Sequence, residues 1–399
     1  MPVDDLTRLQ PETLRCPWPV YQELRDRGVF YAPEVDAYVV SRHRDVVAVL
    51  RDGRTFSSVI TVGNPRPGPG DDEATRYAPL LLLSDDPEHA RRRRIVNRAF
   101  TPSQLKAWEP RIEEVCTAYA DALLGRGEVD LVADFAVPLP IRIITSILGV
   151  PQEHVDTFRG FSEEITRALG GHNVDPEKRL ATSRAFAGYI TELLELRTKE
   201  PEGDLLTVIA EQVTAGELTL GQGARFVMEL LVAGNITTTH HLASSLLMLA
   251  RDPHLWQHLQ ADLSRVPRFI EESLRLESPI QGFYRLVTEG TELGGVEIPA
   301  DARVFVLYGS ANRDDEAWSQ CPHIDLDRPN LSAHLAFGRG THACIGSSLA
   351  RAESRIAIEA LLARIDRVEL VGVVDQIPYL QSFINHGPLA VPVRLQPRA

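Results

Sequence analysis

Cysteine is scarce in this chain. Cys16, Cys116, Cys321 and Cys344 are the four among 399 residues, too far apart to form a disulfide framework. A reducing, cytoplasmic setting is therefore expected. Long hydrophobic runs are also lacking. No apolar stretch approaches the ~20 residues a spanning helix requires, so no membrane partner is expected. Basic charge is in deficit: the formal net charge is −13, which argues against nucleic acid as the main partner. Linker-like composition and internal repeats are missing too. The one Pro/Gly-dense run, Asn64 to Asp72, is short and reads as a surface loop. The first residues, Met1 to Thr13, are polar and acidic, which predicts neither a signal peptide nor an anchor. What remains is a chain with 44% hydrophobic residues, enough for a large core, and the expectation is a single domain spanning 1–399.

The chemistry concentrates in one stretch, Phe337-Gly338-Arg339-Gly340-Thr341-His342-Ala343-Cys344-Ile345-Gly346. Gly338 and Gly340 can take positive φ and let backbone pass where a side chain would collide. Cys344 is expected at the start of a helix from about Ile345 to Ile365, whose positive end favours a thiolate. A thiolate beneath a large cofactor pushes electron density into haem iron. From these residues alone the competing readings stay open: a small buried cysteine, a phosphate-binding turn, or a cysteine hydrolase. A zinc site is disfavoured, because His342 and Cys344 lack a second ligand pair at suitable spacing.

Upstream, the pattern predicts helices at Pro17–Arg27 and Asp45–Leu50, with short strands at Val29–Tyr31 and Ala37–Val40 making a small N-terminal sheet. Ile60 to Ser84 is irregular, ending in Leu80-Leu81-Leu82-Leu83. The next helix carries His89, Arg93, Val96 and Phe100 on one face and Arg91, Arg94 and Arg98 on the opposite one. The second set reads as solvated, whereas buried cations on the first would need an anionic partner. Further helices are expected at Leu105–Leu124, Leu139–Leu148, Val155–Leu169 and Arg179–Arg197. Thr219 and Gln222 form a capping-box pattern at the head of a long helix that ends at Asp252-Pro253.

That helix contains Ala233-Gly234-Asn235-Ile236-Thr237-Thr238-Thr239. A mid-helix glycine costs about 1 kcal/mol relative to alanine, and threonine there can bend the axis. His240 and His241 face different directions and read as structural. Glu272 and Arg275 lie three apart on a helix ending at Leu276 and can pair. Phe283–Arg285, Gly294–Pro299 and Val304–Leu307 read as a hairpin-like sheet. A last hairpin is expected from Tyr379–Phe383 and Leu389–Val393, turning around Ile384 to Gly387.

Five of these stretches occur in order: His89-x-x-x-Arg93, Ala233-Gly234-x-x-Thr237, Glu272-x-x-Arg275, Asn312-Arg313-Asp314 and the Cys344 turn. Together they resemble the cytochrome P450 superfamily across nearly the whole chain, and the soluble bacterial branch by length. The resemblance implies a mainly α fold with small β-sheets, a triangular prism with haem between the long central helix and the Cys-loop helix. It implies that Cys344 ligates the haem b iron, with Phe337, Gly338, His342 and Gly346 of its loop as further cofactor-binding residues. His89, Arg93 and Arg285 match the haem propionate ligands. Ala233, Gly234 and Thr237 match the oxygen-activation motif, while Glu272, Arg275 and Arg328 match a trio that holds the Cys loop. The chain departs from the family where Ile236 replaces the usual acid, so proton delivery to dioxygen must run by another route or be impaired.

The implied activity is a haem-thiolate monooxygenase acting on an apolar small molecule, with a pocket from Leu81, Leu82, Leu83, Val232, Ile236, Ile280, Phe283 and Phe383. A role in natural-product tailoring follows from the same resemblance. Electrons are expected from NAD(P)H through a separate ferredoxin and its reductase, docking on Arg91, Arg94, Arg98, Arg339, Arg351 and Arg355. Ile236 motivates a peroxide-driven, coupling or rearrangement chemistry as the alternative. A non-catalytic haem binder is the reading from another class.

Overall fold

The computed structural model describes residues 2–59, 80–151, 154–161, 176–319 and 322–398. The expected helix over Val155–Leu169 lies partly outside them, as do the Asn64–Asp72 loop and Cys321. The described chain is mainly helical with small sheets and forms two compact units. One comprises Met1–Ser57, Arg111–Leu139 and Thr237–Ala399; the other comprises Ser58–Pro110 and Pro140–Ile236. Helices Pro102–Leu123, Pro138–Leu148 and Leu220–Arg251 contribute residues to both. Among the described residues, no helix is long and apolar enough to cross a membrane.

The first unit contains the strands. β1 (Phe30–Ala32), β2 (Ala37–Val40), β3 (Phe56–Ser57), β5 (Gly282–Val287) and β8 (Arg303–Leu307) form one sheet in the order β1-β2-β8-β5-β3. The N-terminal strands are therefore not a separate sheet. β2 pairs parallel with β8, setting Val39 opposite Phe305 and Val40 opposite Val306, while β5 pairs antiparallel with β8. Alternation marks a strand's two faces but says nothing of a partner some 260 residues away. β6 (Thr291–Leu293) and β7 (Val296–Ile298) make a separate two-stranded ribbon rather than part of that hairpin.

The C-terminal hairpin also differs from expectation. Tyr379 bridges only Pro388, and the strand proper is β10 (Pro392–Pro397), lying between β4 (Glu128–Asp130) and β9 (Ile365–Leu370).

The helices start where local chemistry says they should. Asp252 accepts from the N–H groups of His254 and Leu255 at 3.0 Å each, capping Pro253–Ala261. Pro267 stands in the first turn of Val266–Leu276. His43–Arg51 buries Val46, Val49 and Leu50 against Val40, Val304, Val306 and Leu335. Leu335 brings the approach to the Cys344 turn into this core.

In the second unit, Asp204 caps Leu205–Thr214 by accepting from Thr207 N–H at 2.8 Å. Its other oxygen pairs with Arg197 Nε at 2.7 Å, and Arg197 also donates to the Gly149 carbonyl. Phe158 and Phe161 pack on Phe186 from the helix Pro176–Lys199. The long helix opens with a closed capping box: Gln222 N–H donates to Thr219 Oγ1, and Thr219 N–H to Gln222 Oε1. It then runs unbroken through Gly234 and the threonines, some 48 Å at 1.5 Å per residue.

Candidate active site

The Cys344 turn is built by backbone. Gly338 and Gly340 take φ of +64° and +75°. The Cys344 N–H donates to the Phe337 carbonyl at 2.8 Å, and the Gly338 N–H donates to that of Leu335. The two glycines have different reasons. A Cβ on Gly338 would have room, its nearest neighbour being the His342 carbonyl oxygen at 3.8 Å. One on Gly340 would run into the Leu50 carbonyl oxygen at the end of His43–Arg51. Gly340 thus serves close packing of backbone on backbone, not only the approach of a flat ligand.

The following helix runs from Ser347 to Arg364 with Gly346 at its N-cap. Cys344 stands three residues ahead of the first helical residue, not at the helix start, which weakens the dipole's hold on it. The Cys344 thiol is exposed, whereas Cys116 in the same unit is wholly buried. Burial pushes the Cys116 thiol far up, leaving it an inert core residue.

The Phe337 ring is clamped from one side. Arg351 lies over it with the guanidinium carbon 4.4 Å from the ring centroid. Glu271 holds that arginine in a two-pronged pair of 2.6 and 2.9 Å and meets His334 Nε2 at 3.2 Å. Burial alone would raise the Glu271 carboxyl, but hydrogen bonds from Arg351 and His334 bring it down to about 2. Arg351 is thereby tied to the Cys turn, and Arg355 pairs with Glu359 at 3.0 Å. Arg339 is half-exposed. In the other unit, Arg94 and Arg98 are exposed, while Arg91 reaches Glu217 at 3.2 Å.

Glu272, Arg275 and Arg328 meet in the interior with side chains 0%, 0% and 2% exposed. Arg275 donates through Nε to Glu272 Oε2 at 2.7 Å and through Nη2 to Oε1 at 2.8 Å. Arg328 Nε and the Asp325 N–H each donate to Oε1 at 3.0 Å. Both guanidiniums also reach the His323 carbonyl, and Arg275 Nη1 reaches that of Asn312. Asn312 Oδ1 in turn accepts from the Leu335 N–H at 2.7 Å. One network therefore runs from the trio to the residues leading into the Cys turn.

Arg285 lies on β5 opposite Val304, 7% exposed, beside Tyr308. Burial raises the Tyr308 hydroxyl pKa, and the charge and hydrogen bond of Arg285 oppose that rise. Phe283 packs its ring edge-on to Tyr308. Phe383 turns to Phe305, at 5.5 Å between centroids, and shares the sheet's core. Ile280 is half-buried against the neighbouring cluster.

In the second unit, His89 is 2% exposed, as its apolar face predicts, with Nδ1 3.4 Å from Asp86 Oδ1. Burial lowers its pKa, and Asp86 pulls the other way. Arg93, on the same helix, is half-buried.

Along the long helix Glu229, Ala233 and Thr237 recur every four residues on one face; Ala233 is exposed, and Glu229 and Thr237 are half-buried, as are Val232, Gly234 and Asn235. Ile236, at the position where the family carries an acid, is 8% exposed and lies off that face. A Cβ on Gly234 would meet only Ile144 at 3.6 Å. Protein packing in this unit therefore does not demand glycine there. His241 binds Ser354 Oγ at 2.9 Å and Ser273 Oγ at 3.0 Å. Burial drives the pKa values of His240 and His241 down to about 4 and about 3, so both rings are neutral near pH 7.

Sequence reasoning missed Glu271, His334, Asn312 as a loop tether, Tyr308 and Glu229. For Glu271 the partner arginine lies 80 residues away, and nothing local announces it.

Among the described residues, no group of three or more His, Cys, Asp or Glu side chains could hold a bare metal ion. Cys16 is exposed as well, but Cys344 alone of the described cysteines stands on the glycine turn, and one thiolate suits a metal that brings its own equatorial ligands, as haem does. An accessible cysteine on a glycine turn, tethered to a buried Glu–Arg trio, defines a haem-thiolate type of protein.

The cytochrome P450 family model matches residues 186–370. Cytochrome P450 107B1 of Saccharopolyspora erythraea is 35% identical over 372 residues, spanning 90% of this chain and 89% of the relative. Nocardicin C N-oxygenase of Nocardia uniformis subsp. tsuyamanensis is 35% identical with the same coverage. The structure of CYP109Q5 from Chondromyces apiculatus aligns over 98% of both chains, with a TM-score of 0.88 and 33% identity. The chain belongs to the cytochrome P450 family and is a P450 monooxygenase of bacterial type, with haem iron as cofactor and dioxygen as oxidant.

Proposed function

We propose that this P450 is a single functional domain over 1–399 that hydroxylates or epoxidises an apolar small molecule. Its electrons come from NAD(P)H through a separate ferredoxin and reductase. The observation that carries this reading is the accessible Cys344 on its tethered turn, together with 35% identity to a P450 over 90% of the chain.

Cys344 supplies the thiolate, Arg93 and Arg285 supply cations for the two propionates, and His89 supplies a neutral ring N–H for them. When bound, haem b supplies a thiolate-ligated iron able to activate dioxygen. Thr237 offers a hydroxyl on the helix face it shares with Ala233, and Gly234 leaves space beside it. Leu81, Leu82, Leu83, Val232 and Ile236 in one unit, and Ile280 and Phe283 in the other, supply apolar surface for substrate. Phe383 contributes less than its sequence position suggested, because its ring packs on Phe305. The ferredoxin docks on Arg91, Arg94, Arg98, Arg339, Arg351 and Arg355, of which Arg94 and Arg98 are the most exposed. The relative that N-oxygenates nocardicin C supports natural-product tailoring as the setting.

Ile236 favours a second reading. With the acid's position filled by a buried isoleucine, proton delivery must use water or another group, and peroxide-driven oxidation or coupling becomes competitive. Peroxide-supported turnover exceeding ferredoxin-supported turnover would select it.

The test of the main reading is the carbon-monoxide difference spectrum of the reduced protein beside its Cys344→Ser variant. The expected result is a strongly red-shifted Soret band, lost in the variant. A band like that of histidine-ligated haem, or no haem at all, overturns the reading.

A further inference from the structure

The stripe of the long helix that carries Ala233 and Thr237 also carries Glu229, one turn before Ala233. Arg225, one turn earlier on the same helix, acts on that carboxylate through its charge, and a second segment of the same unit supplies hydrogen-bond donors. Glu229 Oε2 accepts from the backbone N–H groups of Leu80 and Leu81 at 2.8 and 2.9 Å, and Oε1 accepts from that of Leu82 at 2.8 Å. Three consecutive amides converge on one side chain. The carbonyl side is held as well, since Arg92 Nη1 donates to the Leu80 carbonyl at 3.0 Å and Ser84 Oγ to that of Leu81. Arg92 is itself held by Glu88 at 3.4 Å. Burial outweighs the three amides and Arg92, so the Glu229 carboxyl lies above the ordinary glutamate value.

The consequence lies in where the leucines go. Leu80 and Leu81 are buried, Leu82 is 37% exposed and Leu83 is half-buried. Four successive leucines carry no preference of their own for which turns inward. The clamp fixes the turn, and with it which leucines meet a substrate. Its other end is the stretch of the long helix that carries Ala233 and Gly234, in the same unit.

We propose that Glu229 is a positioning residue. Its carboxylate nests the Leu80–Leu82 amides and so sets the apolar wall against which substrate is held. The inference rests on the pocket assignment above, and it extends that assignment from the lining residues to the group that places them.

The test uses the holoenzyme with Glu229→Gln and Glu229→Asp. Glutamine keeps the size but turns one acceptor into a donor facing an amide. Aspartate keeps the charge one methylene short. Hydrogen exchange of a peptide covering Leu80–Ser84 is expected to quicken by about tenfold or more in the glutamine variant. Aspartate should give an intermediate rate, and a peptide over Ser244–Leu249 should not change.

The second readout is the haem spectrum titrated with imidazole and, separately, with 1-dodecylimidazole. Imidazole needs only the iron, whereas the dodecyl chain needs the wall. The expected result is a dodecylimidazole Kd raised about tenfold with the imidazole Kd unmoved, and partial rescue by aspartate. Unchanged exchange at Leu80–Ser84 overturns the clamp. Faster exchange with an unchanged dodecylimidazole Kd overturns its role in the pocket. If the protein shows no thiolate-ligated carbon-monoxide band, the haem reading fails, and the exchange experiment still decides the clamp.

Discussion

Replacing Glu272 by glutamine should be among the most damaging isosteric changes this protein can undergo. The carboxylate is wholly buried and takes four N–H groups, three of them from the guanidiniums of Arg275 and Arg328. Glutamine keeps the volume and one acceptor, yet leaves two cations in the interior with only carbonyl oxygens to neutralise them. Breaking a buried pair by removing one partner costs about 3–5 kcal/mol. Native proteins have only about 5–15 kcal/mol in total. Urea unfolding followed by tryptophan fluorescence is the assay, since Trp318 lies 5.3 Å from the Arg275 guanidinium carbon and reports locally.

The pH dependence adds a sign. Burial raises the Glu272 carboxyl, but its hydrogen bonds with Arg275 and its other donors win, and the folded pKa lies below the ordinary glutamate value. Stability from this group is therefore fully present above the unfolded pKa and is lost as pH falls through and below the ordinary glutamate range. The gap between wild type and Glu272→Gln should close on acidification. Arg328→Lys should cost less, about 1–3 kcal/mol, because a lysine cannot reproduce the fork to Glu272, His323 and Ser319. A loss under about 1 kcal/mol for Glu272→Gln, or a gap indifferent to pH, would refute the reasoning: the desolvation of three charges would then cancel their attraction.

Other perturbations test the Cys turn and its surface. Gly340→Ala should destabilise by about 2–4 kcal/mol, combining positive φ with a collision at the Leu50 carbonyl. Gly338→Ala, strained by φ alone, should cost about 1 kcal/mol. Equal costs in thermal unfolding would show that the Leu50 contact yields freely. Glu271→Gln should cost about 2 kcal/mol at neutral pH. The wild type should lose that advantage as pH falls from the usual glutamate range towards the folded value of about 2, so parallel pH profiles would contradict the Arg351 and His334 pairing. Charge reversal at Arg94 and Arg98 should weaken ferredoxin-supported turnover and flatten its salt dependence while leaving peroxide-supported turnover intact. Kinetics unchanged at low salt would remove them from the docking surface.

The contrast between Glu272 and Glu229 shows what the chain made legible and what it hid. Glu272-x-x-Arg275 lies within one helical turn, so spacing alone put the two on one face, and family resemblance added Arg328. The turn at Cys344 was legible for the same reason, because its two glycines and cysteine stand within seven residues, although Leu50, Arg351 and Asn312 from elsewhere hold it in place. Secondary structure followed the same rule: capping at Thr219 and Gln222 and Pro267 in a first turn are decided by neighbours in sequence. Apart from the helix after Cys344, which begins at Ser347 rather than Ile345, the errors are of longer range. The parallel pairing of β2 with β8 and the placement of β10 between β4 and β9 depend on partners that a period of two cannot name. Glu229 belongs to that class. It lies about 150 residues from the amides it binds, and those amides are backbone, so no side-chain pattern at Leu80–Leu82 could have pointed to it. A carboxylate on an apolar helix face is a mark of this kind in any sequence, since burying even part of it requires donors. Arg225, one turn earlier on the same helix, contributes charge, yet the three amides that converge on Glu229 come from another segment.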